Sequence, residues 1–454
     1  MRAAVISTHM VSPSKPAATQ SFFHDVLAVG TTRVSVMVVS FLTGVLVARL
    51  LGAEGKGLVA ALTVAPAIVV TICDLGLMHA TAYHIGRRTL PIERIVGALL
   101  SIGLLASLLA VAACLVYFRV TWLPEYTWLL VALATATIPM AIFRSYAIGV
   151  FLGRQQIANF NRAHWIGPLI RLALVVALVA LLGWGAGGVL VAQLLAGAVI
   201  GVYALKLVRR LAPLRMSIDL EASRHLISLG LSFAASLFVM TLLYRINIVL
   251  LQHLGTLEEL GVYTVGANLA EYIWQIPSAL TAVVFSRGTN SKDPDRYSGK
   301  VLILFRITLL AAVIGSLAVA IAAVVLVPLL YGPQFEASVA VLWVMLPGVT
   351  AFIVYKVLNL DLAARGKPRI AMAMSIPALA LNIGLGLWLI PRYGAIGAGA
   401  ASSLTYVAAA LLFLFLYCRE LGITVAQALT FRKEDFRFLL SRLPLRRLRL
   451  RVST

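Results

Sequence analysis

Six basic side chains lie inside long apolar stretches of this 454-residue chain: Arg33, Arg144, Arg171, Arg245, Arg306 and Lys356. A charged side chain at the bilayer centre costs about 2.5–3.5 kcal/mol on insertion scales, so it usually faces a wet cavity or a partner. The acidic side chains inside comparable stretches are Asp74 and Glu271, with Asp361 at the end of another. This excess of basic groups predicts a cationic interior and therefore an anionic ligand.

Three of these arginines have similar predicted depths. Arg33, Arg144 and Arg171 each lie seven or eight residues from the predicted cytoplasmic end of an apolar stretch, a common depth of about 11 Å at 1.5 Å per residue. We expect them to face one cytoplasm-facing cavity. Arg245 lies in the outer third of its stretch and is a candidate for a second position of the same ligand.

The remaining charged residues have two interpretations each. Arg306 and Lys356 either face the cavity or extend their side chains to the membrane interface. Glu271, the most deeply placed acid, either binds a coupling proton or Na⁺ or pairs with Arg245. Asp74 is a second candidate for ion coupling, or it tethers a neighbouring arginine.

The elements that must position these side chains are membrane helices. The chain is 61% hydrophobic and 12% charged, against about 45–50% and 25% for soluble domains, which excludes a typical soluble enzyme, a disordered protein and a nucleic-acid-binding domain. Twelve apolar blocks of about 20 residues are long enough to cross a bilayer. They lie at about 26–49, 58–80, 95–118, 127–151, 165–183, 186–206, 226–251, 261–286, 301–327, 337–360, 370–390 and 395–418.

The distribution of Lys and Arg predicts that both termini are cytoplasmic. With this orientation, 28 of the 38 basic residues fall on the cytoplasmic side and six lie within the blocks. The other four, on the opposite side, are Arg49, Lys56, Arg119 and Arg392. We therefore predict a multi-pass inner-membrane protein whose net charge of +21 attracts anionic lipid headgroups rather than nucleic acid.

The two halves carry matching prolines, which predicts an internal repeat. Proline kinks a helix and is a candidate bending point. The matched pairs are Pro66 with Pro277, Pro139 with Pro347, and Pro168 with Pro377, at offsets of about 210 residues. Gly57 likewise matches Gly261. Because each half has an even number of spans, we expect two six-helix bundles related by a parallel pseudo-two-fold repeat.

These patterns predict an all-α polytopic membrane protein with five regions. They are a cytoplasmic N-terminal segment (1–25), an N-terminal six-helix lobe (26–208), a cytoplasmic linker (209–225), a C-terminal six-helix lobe (226–418) and a basic cytoplasmic tail (419–454). The tail either lies on the anionic inner leaflet or is disordered. Three scattered cysteines predict no metal site, and no pattern indicates a cofactor or an enzyme.

Several segments resemble polysaccharide-type flippases of the multidrug/oligosaccharidyl-lipid/polysaccharide exporter superfamily. The resembling segments are "VARLLGAEGKGLVAALTV", "DLGLMHATAYHIGRR", "FLGRQQIANFNR" and "AARGKPRIAMAMS". The resemblance covers about residues 22–418. It implies a flippase that moves an undecaprenyl-pyrophosphate-linked oligosaccharide from the inner to the outer leaflet by alternating access, for surface polysaccharide assembly.

If so, Arg33, Arg144 and Arg171 would hold the pyrophosphate, with Arg245 as the second station. The expected partners are the lipid-linked oligosaccharide, anionic lipids at the tail, and a polysaccharide polymerase or glycosyltransferases. The alternatives are a cation-coupled multidrug exporter of the same superfamily and a lipid-linked peptidoglycan-precursor flippase, whose family usually has two further C-terminal spans. A major-facilitator carrier and a membrane enzyme of glycan assembly fit less well, because their loop signatures are not matched.

Overall fold

The computed structural model describes residues 18–275, 277, 294–365, 367, 369–431 and 435, with side chains from Val34 onward except 294–296, 363, 364, 369, 371 and 372. In this part of the chain every regular element is a helix. Hydrocarbon offers no partner to a free backbone N–H or C=O, so a spanning segment must satisfy these groups internally. The predicted all-helical class is confirmed.

Six helices form the first half, the N lobe. They are α1 (Ala18–Cys73), α2 (Leu77–Arg87), α3 (Ile92–Val120), α4 (Trp128–Gly153), α5 (Ile157–Val175) and α6 (Gly185–Arg209). A π-helical turn, Val176–Leu181, extends α5.

The second half, the C lobe, begins after the segment 210–219. Its helices are α7 (Leu220–Leu254), α8 (Leu257–Glu271), α9 (Pro294–Tyr331), α10 (Ala337–Ala351), α11 (Ile353–Ala364) and α12 (Arg369–Leu421), followed by the short α13 (Val425–Leu429). Short 3₁₀ turns, Tyr272–Trp274 and Pro333–Phe335, follow α8 and precede α10.

Two of the helices are interrupted by glycines at which the chain reverses. Gly52 in α1 has φ 75° and ψ −178°, and Gly394 in α12 has φ 53° and ψ −128°. Positive φ is accessible to glycine because it has no Cβ. The 56 residues of α1 would extend about 84 Å as one straight helix, far beyond the ~30 Å hydrocarbon core, so α1 and α12 each cross twice.

The helix count agrees with the twelve predicted crossings. Nine described segments are long and apolar enough to span a membrane, and two of them, Val34–Arg87 and Ala373–Leu421, contain the reversals. The helix beginning at Leu257 supplies the remaining crossing; part of the predicted block 261–286 lies outside the described residues. Two bundles of six crossings are therefore confirmed.

A reciprocal backbone contact relates the two lobes. A Cβ placed on Gly57 would lie 1.8 Å from the Leu257 carbonyl oxygen, and one on Gly261 would lie 1.9 Å from the Ala53 carbonyl oxygen. Gly57 and Gly261 are equivalent in the predicted repeat, as are Ala53 and Leu257 at the same spacing. Such mutual contact between equivalent positions is the pattern of a two-fold axis, so α1 and α8 cross beside the pseudo-symmetry axis.

The lobes also touch nearer the predicted cytoplasmic face. The second predicted block, 58–80, is broken between α1 and α2, where Leu75 has φ 52° and Gly76 has φ 66°. A Cβ on Gly76 would lie 2.4 Å from the Gly230 carbonyl oxygen of α7. Glycine at this position allows both the left-handed backbone and the close approach of the two lobes.

The prolines singled out in the sequence lie within helices wherever the structure describes the surrounding helix. Pro66, Pro139, Pro168, Pro347 and Pro377 are inside α1, α4, α5, α10 and α12. Pro277 is buried, and its immediate neighbours fall outside the described residues. Two further helix prolines, Pro328 and Pro391, were not anticipated, because both lie just beyond the predicted block boundaries.

Candidate functional site

A cavity of about 390 Å³ lies between the two lobes and is called the inter-lobe cavity. It is lined by the second span in α1, by α5 and α6 from the N lobe, and by α7 and α8 from the C lobe. Its charged lining residues are Lys56, Arg171, Arg245 and Glu271. This cavity is therefore cationic, with a single carboxylate among its described lining residues.

A second cavity of about 450 Å³ lies within the N lobe and is called the N-lobe cavity. It is enclosed by α1, α4, α5 and α6. Its polar lining side chains are Thr63, Thr137, Arg144, His164, Arg171 and Gln193. No carboxylate is among its described lining residues, so its electrostatic potential favours anions.

The two cavities share a wall. Thr63, Ala67, Arg171 and Gln193 line both of them. Arg171 is therefore placed where one ligand that extends from the N-lobe cavity into the inter-lobe cavity would meet it. The π-helical turn Val176–Leu181 follows Arg171 on the same span; such turns are frequent at functional sites.

The cations of the two cavities form no ion pair in the described part of the chain, although the Glu271 carboxylate lines the inter-lobe cavity and interacts electrostatically with Arg245. No side-chain hydrogen bond or ion pair joins another described residue to Arg144, Arg171, Arg245 or Lys56. The Nε atom of Arg171 is buried without a hydrogen-bond partner. A buried unpaired cation is costly, so these groups require water or an anionic ligand.

The structure places the four arginines predicted to bind the ligand as follows. Arg144 and Arg171 line the N-lobe cavity, and Arg171 and Arg245 line the inter-lobe cavity. Arg33 lies in α1, but its side chain falls outside the described residues. Arg171 lies fourteen residues after the start of α5 and Arg144 nine before the end of α4. Both line the same cavity, and their common depth in the membrane stays a prediction.

The two candidate coupling acids have different surroundings. Glu271 lines the inter-lobe cavity with Arg245, and no ion pair joins them in the described structure. Asp74 lines neither of these cavities; it is buried at the break between α1 and α2, with Ser145 and the Met78 amide among its polar neighbours. Only Glu271 can therefore contact a ligand in these cavities directly.

Lys56 is a cavity residue that the sequence reasoning assigned to an outer loop. The chain reverses at Gly52, four residues earlier, so Lys56 already belongs to the next helical segment and lines the inter-lobe cavity. The repeat could have indicated that Lys56 lies between the lobes, because it directly precedes Gly57, the repeat glycine that contacts the start of α8.

Arg306 lines neither of the two cavities, and its side chain is buried in the protein. It is 4% exposed and donates to the Gln427 carbonyl at 2.7 Å, the Ala428 carbonyl at 2.9 Å and the Asp435 carboxylate at 3.1 Å. It therefore fixes the beginning of the C-terminal tail to the C lobe. The rest of the predicted tail lies mostly outside the described residues.

Lys356 has an aromatic environment. Its Nζ lies 4.1 Å from the centroid of the Trp274 ring, 5.1 Å from that of Tyr244, and 3.3 Å from the Tyr244 hydroxyl. Cation–π contacts of this kind stabilise a desolvated ammonium group. Lys356 is thus held in the wall of the C lobe and lines neither of the two cavities.

Comparison with known proteins identifies a family whose model matches this chain. A family model described as "Polysaccharide biosynthesis protein" matches residues 22–286, more than half of the chain. No curated protein sequence matches the chain.

Solved structures of transporters share its fold. The lipid II flippase MurJ, in an inward closed conformation, aligns with a TM-score of 0.73 and 12% identity over 92% of this chain and 95% of that one. An inward-facing multidrug resistance MATE family transporter of the MOP superfamily aligns with a TM-score of 0.67 and 15% identity, over 87% of this chain and 98% of that one. A MOP superfamily transporter from Pyrococcus furiosus aligns with a TM-score of 0.60 and 15% identity, over 88% and 95% of the two chains.

Proposed function

The chain belongs to the polysaccharide biosynthesis protein family, in the superfamily of membrane flippases and exporters, and we propose that it flips a lipid-linked oligosaccharide. The substrate is an oligosaccharide on undecaprenyl pyrophosphate. The protein moves it from the inner to the outer leaflet of the plasma membrane for surface polysaccharide assembly.

The observation that carries this proposal is the set of unpaired cations in the two connected cavities. Four cations line the cavities without an ion pair among the described residues, and the one carboxylate there is Glu271: the cations are Arg144, Arg171, Arg245 and Lys56. A pyrophosphate carries at least two negative charges and many acceptor oxygens. It would supply the charge and the hydrogen-bond acceptors that these side chains lack.

Arginine suits this role better than lysine. Its guanidinium group stays charged at any relevant pH and presents a rigid fork of donors that binds phosphate in bidentate fashion. Arg144 and Arg171 form the inner part of the site with Arg33, and Arg245 forms a second station as the substrate moves outward. Recognition through the pyrophosphate leaves the sugar sequence free to vary.

Movement of the substrate requires the lobes to open alternately. The contacts of Gly57 with Leu257 and of Gly76 with Gly230 separate and reform during the cycle. The prolines of α1, α4, α5, α10 and α12 are the bending points, with Pro277 at the equivalent place after α8. The polyprenyl tail stays in the bilayer and passes through a gap between the lobes.

Glu271 is the candidate for coupling the cycle to a proton or Na⁺. It is the one acid among the described residues lining the two cavities, and the positive charges of Arg245 and Lys356 act on it. A bound cation would remove its charge and alter its interaction with Arg245. Asp74, at the break between α1 and α2, would act through the contact of this segment with α7.

The charge distribution supports the orientation and the lipid contacts, and the proposed substrate implies the protein partners. Both termini lie in the cytoplasm, anionic lipids contact the basic tail, and a polymerase or glycosyltransferases act on the same substrate. The alternative of a cation-coupled drug exporter is disfavoured because four cations and one acid would repel a cationic drug. A peptidoglycan-precursor flippase remains the alternative whose ligand carries the same pyrophosphate.

Mass spectrometry of lipids that copurify with the protein in native membrane discs tests this function. We expect polyprenyl-pyrophosphate-linked sugars with the unmodified protein and with Arg119→Ala, a control at an exposed arginine outside both cavities. The double variant Arg144→Ala/Arg171→Ala should lose them. Recovery of phospholipids alone from the unmodified protein would contradict the proposal, and a lipid-linked muropeptide would favour the peptidoglycan alternative.

A further inference from the structure

The two lobes differ at equivalent positions beside the cavities. The offset of 208 residues between Pro139 and Pro347 makes Arg144 equivalent to Phe352. The "WGA" and "YGA" segments that begin the last span of each lobe make Gly197 equivalent to Tyr406. Two positions that line the N-lobe cavity are thus aromatic in the C lobe, where Trp274 packs against both of these rings.

These aromatic side chains fill the C lobe at that level. Trp274, Phe352 and Tyr406 are 6%, 0% and 1% exposed. Their ring centroids lie 5.8 Å apart for Trp274 and Phe352, 5.6 Å for Trp274 and Tyr406, and 5.0 Å for Phe352 and Tyr406. Packed rings at these distances leave no space for a ligand. Within the described part of the C lobe, the position equivalent to the N-lobe cavity is filled by these rings.

The N-lobe cavity also differs from the inter-lobe cavity in its chemistry. It presents the guanidinium groups of Arg144 and Arg171 without a carboxylate among the described lining residues, whereas the inter-lobe cavity contains Glu271. A carboxylate repels phosphate in a low-dielectric site. The described lining residues give both cavities a formal net charge of +2, but only in the N-lobe cavity is every charged group a donor to phosphate, with no carboxylate competing for the cations.

The inter-lobe cavity instead offers the groups that bind sugar hydroxyls. Tyr244, Asn268 and Glu271 line it with part of their surface exposed. Tyr263 and Thr264 also line it, but they are buried and already form hydrogen bonds with Ser402 Oγ and the Gly261 carbonyl. Carboxylate, amide and hydroxyl groups all accept hydrogen bonds, and the amide and hydroxyl groups also donate them. Asn268 is exposed to this cavity rather than packed in the protein.

Resting on the proposed function, we propose that one substrate occupies both cavities, with its pyrophosphate off the axis in the N-lobe cavity and its first sugar in the inter-lobe cavity. Arg144 then binds only phosphate, and Arg171, which lines both cavities, binds at the junction of phosphate and sugar. Arg245 contacts the phosphate only after the substrate has moved outward.

Pyrophosphate binding measured by calorimetry on the purified full-length protein tests the location of the phosphate. Arg144→Gln should weaken the affinity for inorganic pyrophosphate at least about tenfold, as expected for loss of a charge-assisted contact. Arg245→Gln should weaken it less, and the control Arg119→Gln should not change it. An equal or larger loss in Arg245→Gln would overturn the proposal, as would the absence of pyrophosphate binding by the unmodified protein.

A steric variant tests the same location without removing a charge. The nearest atom to a Cβ on Gly197 is Met140 Cβ at 3.8 Å, so a side chain can be added and extend into the N-lobe cavity. Gly197→Phe, and the smaller Gly197→Leu should the first not fold, should block pyrophosphate binding. Unchanged affinity in a folded variant would overturn the off-axis location.

The sugar compartment is tested with geranyl pyrophosphate and the same compound carrying one hexose. Asn268→Ala should weaken binding of the hexose-bearing probe only, and equal losses or no loss would overturn that assignment. These binding patterns are independent of transport. If they hold while no lipid-linked oligosaccharide copurifies, the proposed function fails and the phosphate site stands; if the substrate copurifies but the pattern is reversed, only the location is wrong.

Discussion

At the residue scale, the chemistry of this protein depends on whether a charge in the membrane has a partner. Arg306 has three acceptor groups around it and serves to fix the tail. Arg144 and Arg171 have none among the described residues and face cavities. The sequence places all of these arginines in apolar blocks. It does not distinguish paired from unpaired ones, because a partner distant in sequence, such as Asp435, cannot be recognised from spacing.

The same limit explains the residues that the sequence misplaced or missed. Lys56 was assigned to a loop because Arg49, Glu54 and Lys56 form a polar stretch between two apolar blocks, whereas the reversal needs only Gly52 at positive φ and the residues after it are already helical. The aromatic filling of the C lobe depends on side chains from α10, α12 and the turn after α8, which come together only in the folded protein.

Glu271→Gln removes the carboxylate from the inter-lobe cavity while keeping its size. If Glu271 binds the coupling ion, transport should lose its dependence on a proton or Na⁺ gradient, because the amide cannot change its charge. Uptake into vesicles with imposed gradients measures this. Glu336→Gln, at an exposed acid outside both cavities, is the control. Unchanged transport with unchanged ion dependence in Glu271→Gln would exclude the coupling role.

At the element scale, glycine determines how closely the helices of the two lobes approach. Gly261→Val should prevent the contact between α8 and α1, because even a Cβ would lie 1.9 Å from the Ala53 carbonyl oxygen. Such overpacking costs about 1–3 kcal/mol. The lobes should therefore be displaced toward the state in which they are separated where α1 and α8 cross. Distances between spin labels across the contact measure the shift.

Gly44→Ala is the matched control for this prediction. Gly44 lies in the same long helix α1, and a Cβ there would meet no atom within 4 Å. Spin-label distances in Gly44→Ala should equal those of the unmodified protein. Equal distances in Gly261→Val would show that the contact is not part of the conformational cycle.

The start of α7 joins the two halves through Asp219. Its carboxylate accepts from the Ala222 amide at 3.0 Å and from Arg94 Nη2 at 2.9 Å. Hydrogen bonding with the Arg94 guanidinium lowers the pKa of the Asp219 carboxyl to about 2. A carboxyl with a lowered pKa stabilises the folded state above its unfolded value of about 3.9, and this contribution is lost as the pH falls toward 2.

Asp219→Ala should therefore lower the melting temperature at neutral pH, because both the helix cap and the partner of Arg94 are removed. Thermal unfolding monitored by aggregation or fluorescence measures it. Glu221→Ala should have a smaller effect, since the Glu221 carboxylate contacts Arg94 from a side chain that is 64% exposed and does not cap α7. The difference between unmodified protein and Asp219→Ala should shrink on acidification; a constant difference would contradict the assigned ion pair.

At the scale of the whole molecule, hydropathy and the repeat were sufficient to predict twelve crossings in two bundles. Apolar blocks of about 20 residues have one stable structure in hydrocarbon, so their number survives errors of several residues in their ends. The breaks within spans, such as the π-helical turn Val176–Leu181, follow from packing between helices and have no signature in a hydropathy pattern.

The orientation of the molecule remains a prediction from the basic residues. Cysteine labelling should find 206–224, 287–300 and 419–454 in the cytoplasm, and 252–260 and 328–336 on the outer side. The physical reason is the excess of Lys and Arg in the first set. A C-terminus accessible from outside would contradict the twelve-span topology with cytoplasmic ends.

The central claim is that arginines in the connected cavities carry the pyrophosphate of a lipid-linked oligosaccharide across the membrane. Surface glycan and intracellular lipid-linked intermediate, quantified together in cells that contain Arg33→Ala/Arg144→Ala/Arg171→Ala at normal membrane levels, test it most directly. We predict loss of surface glycan with accumulation of the intermediate, and partial export when lysine replaces the three arginines, because lysine keeps the charge without the fork. Full glycan export by the triple alanine variant would contradict the account.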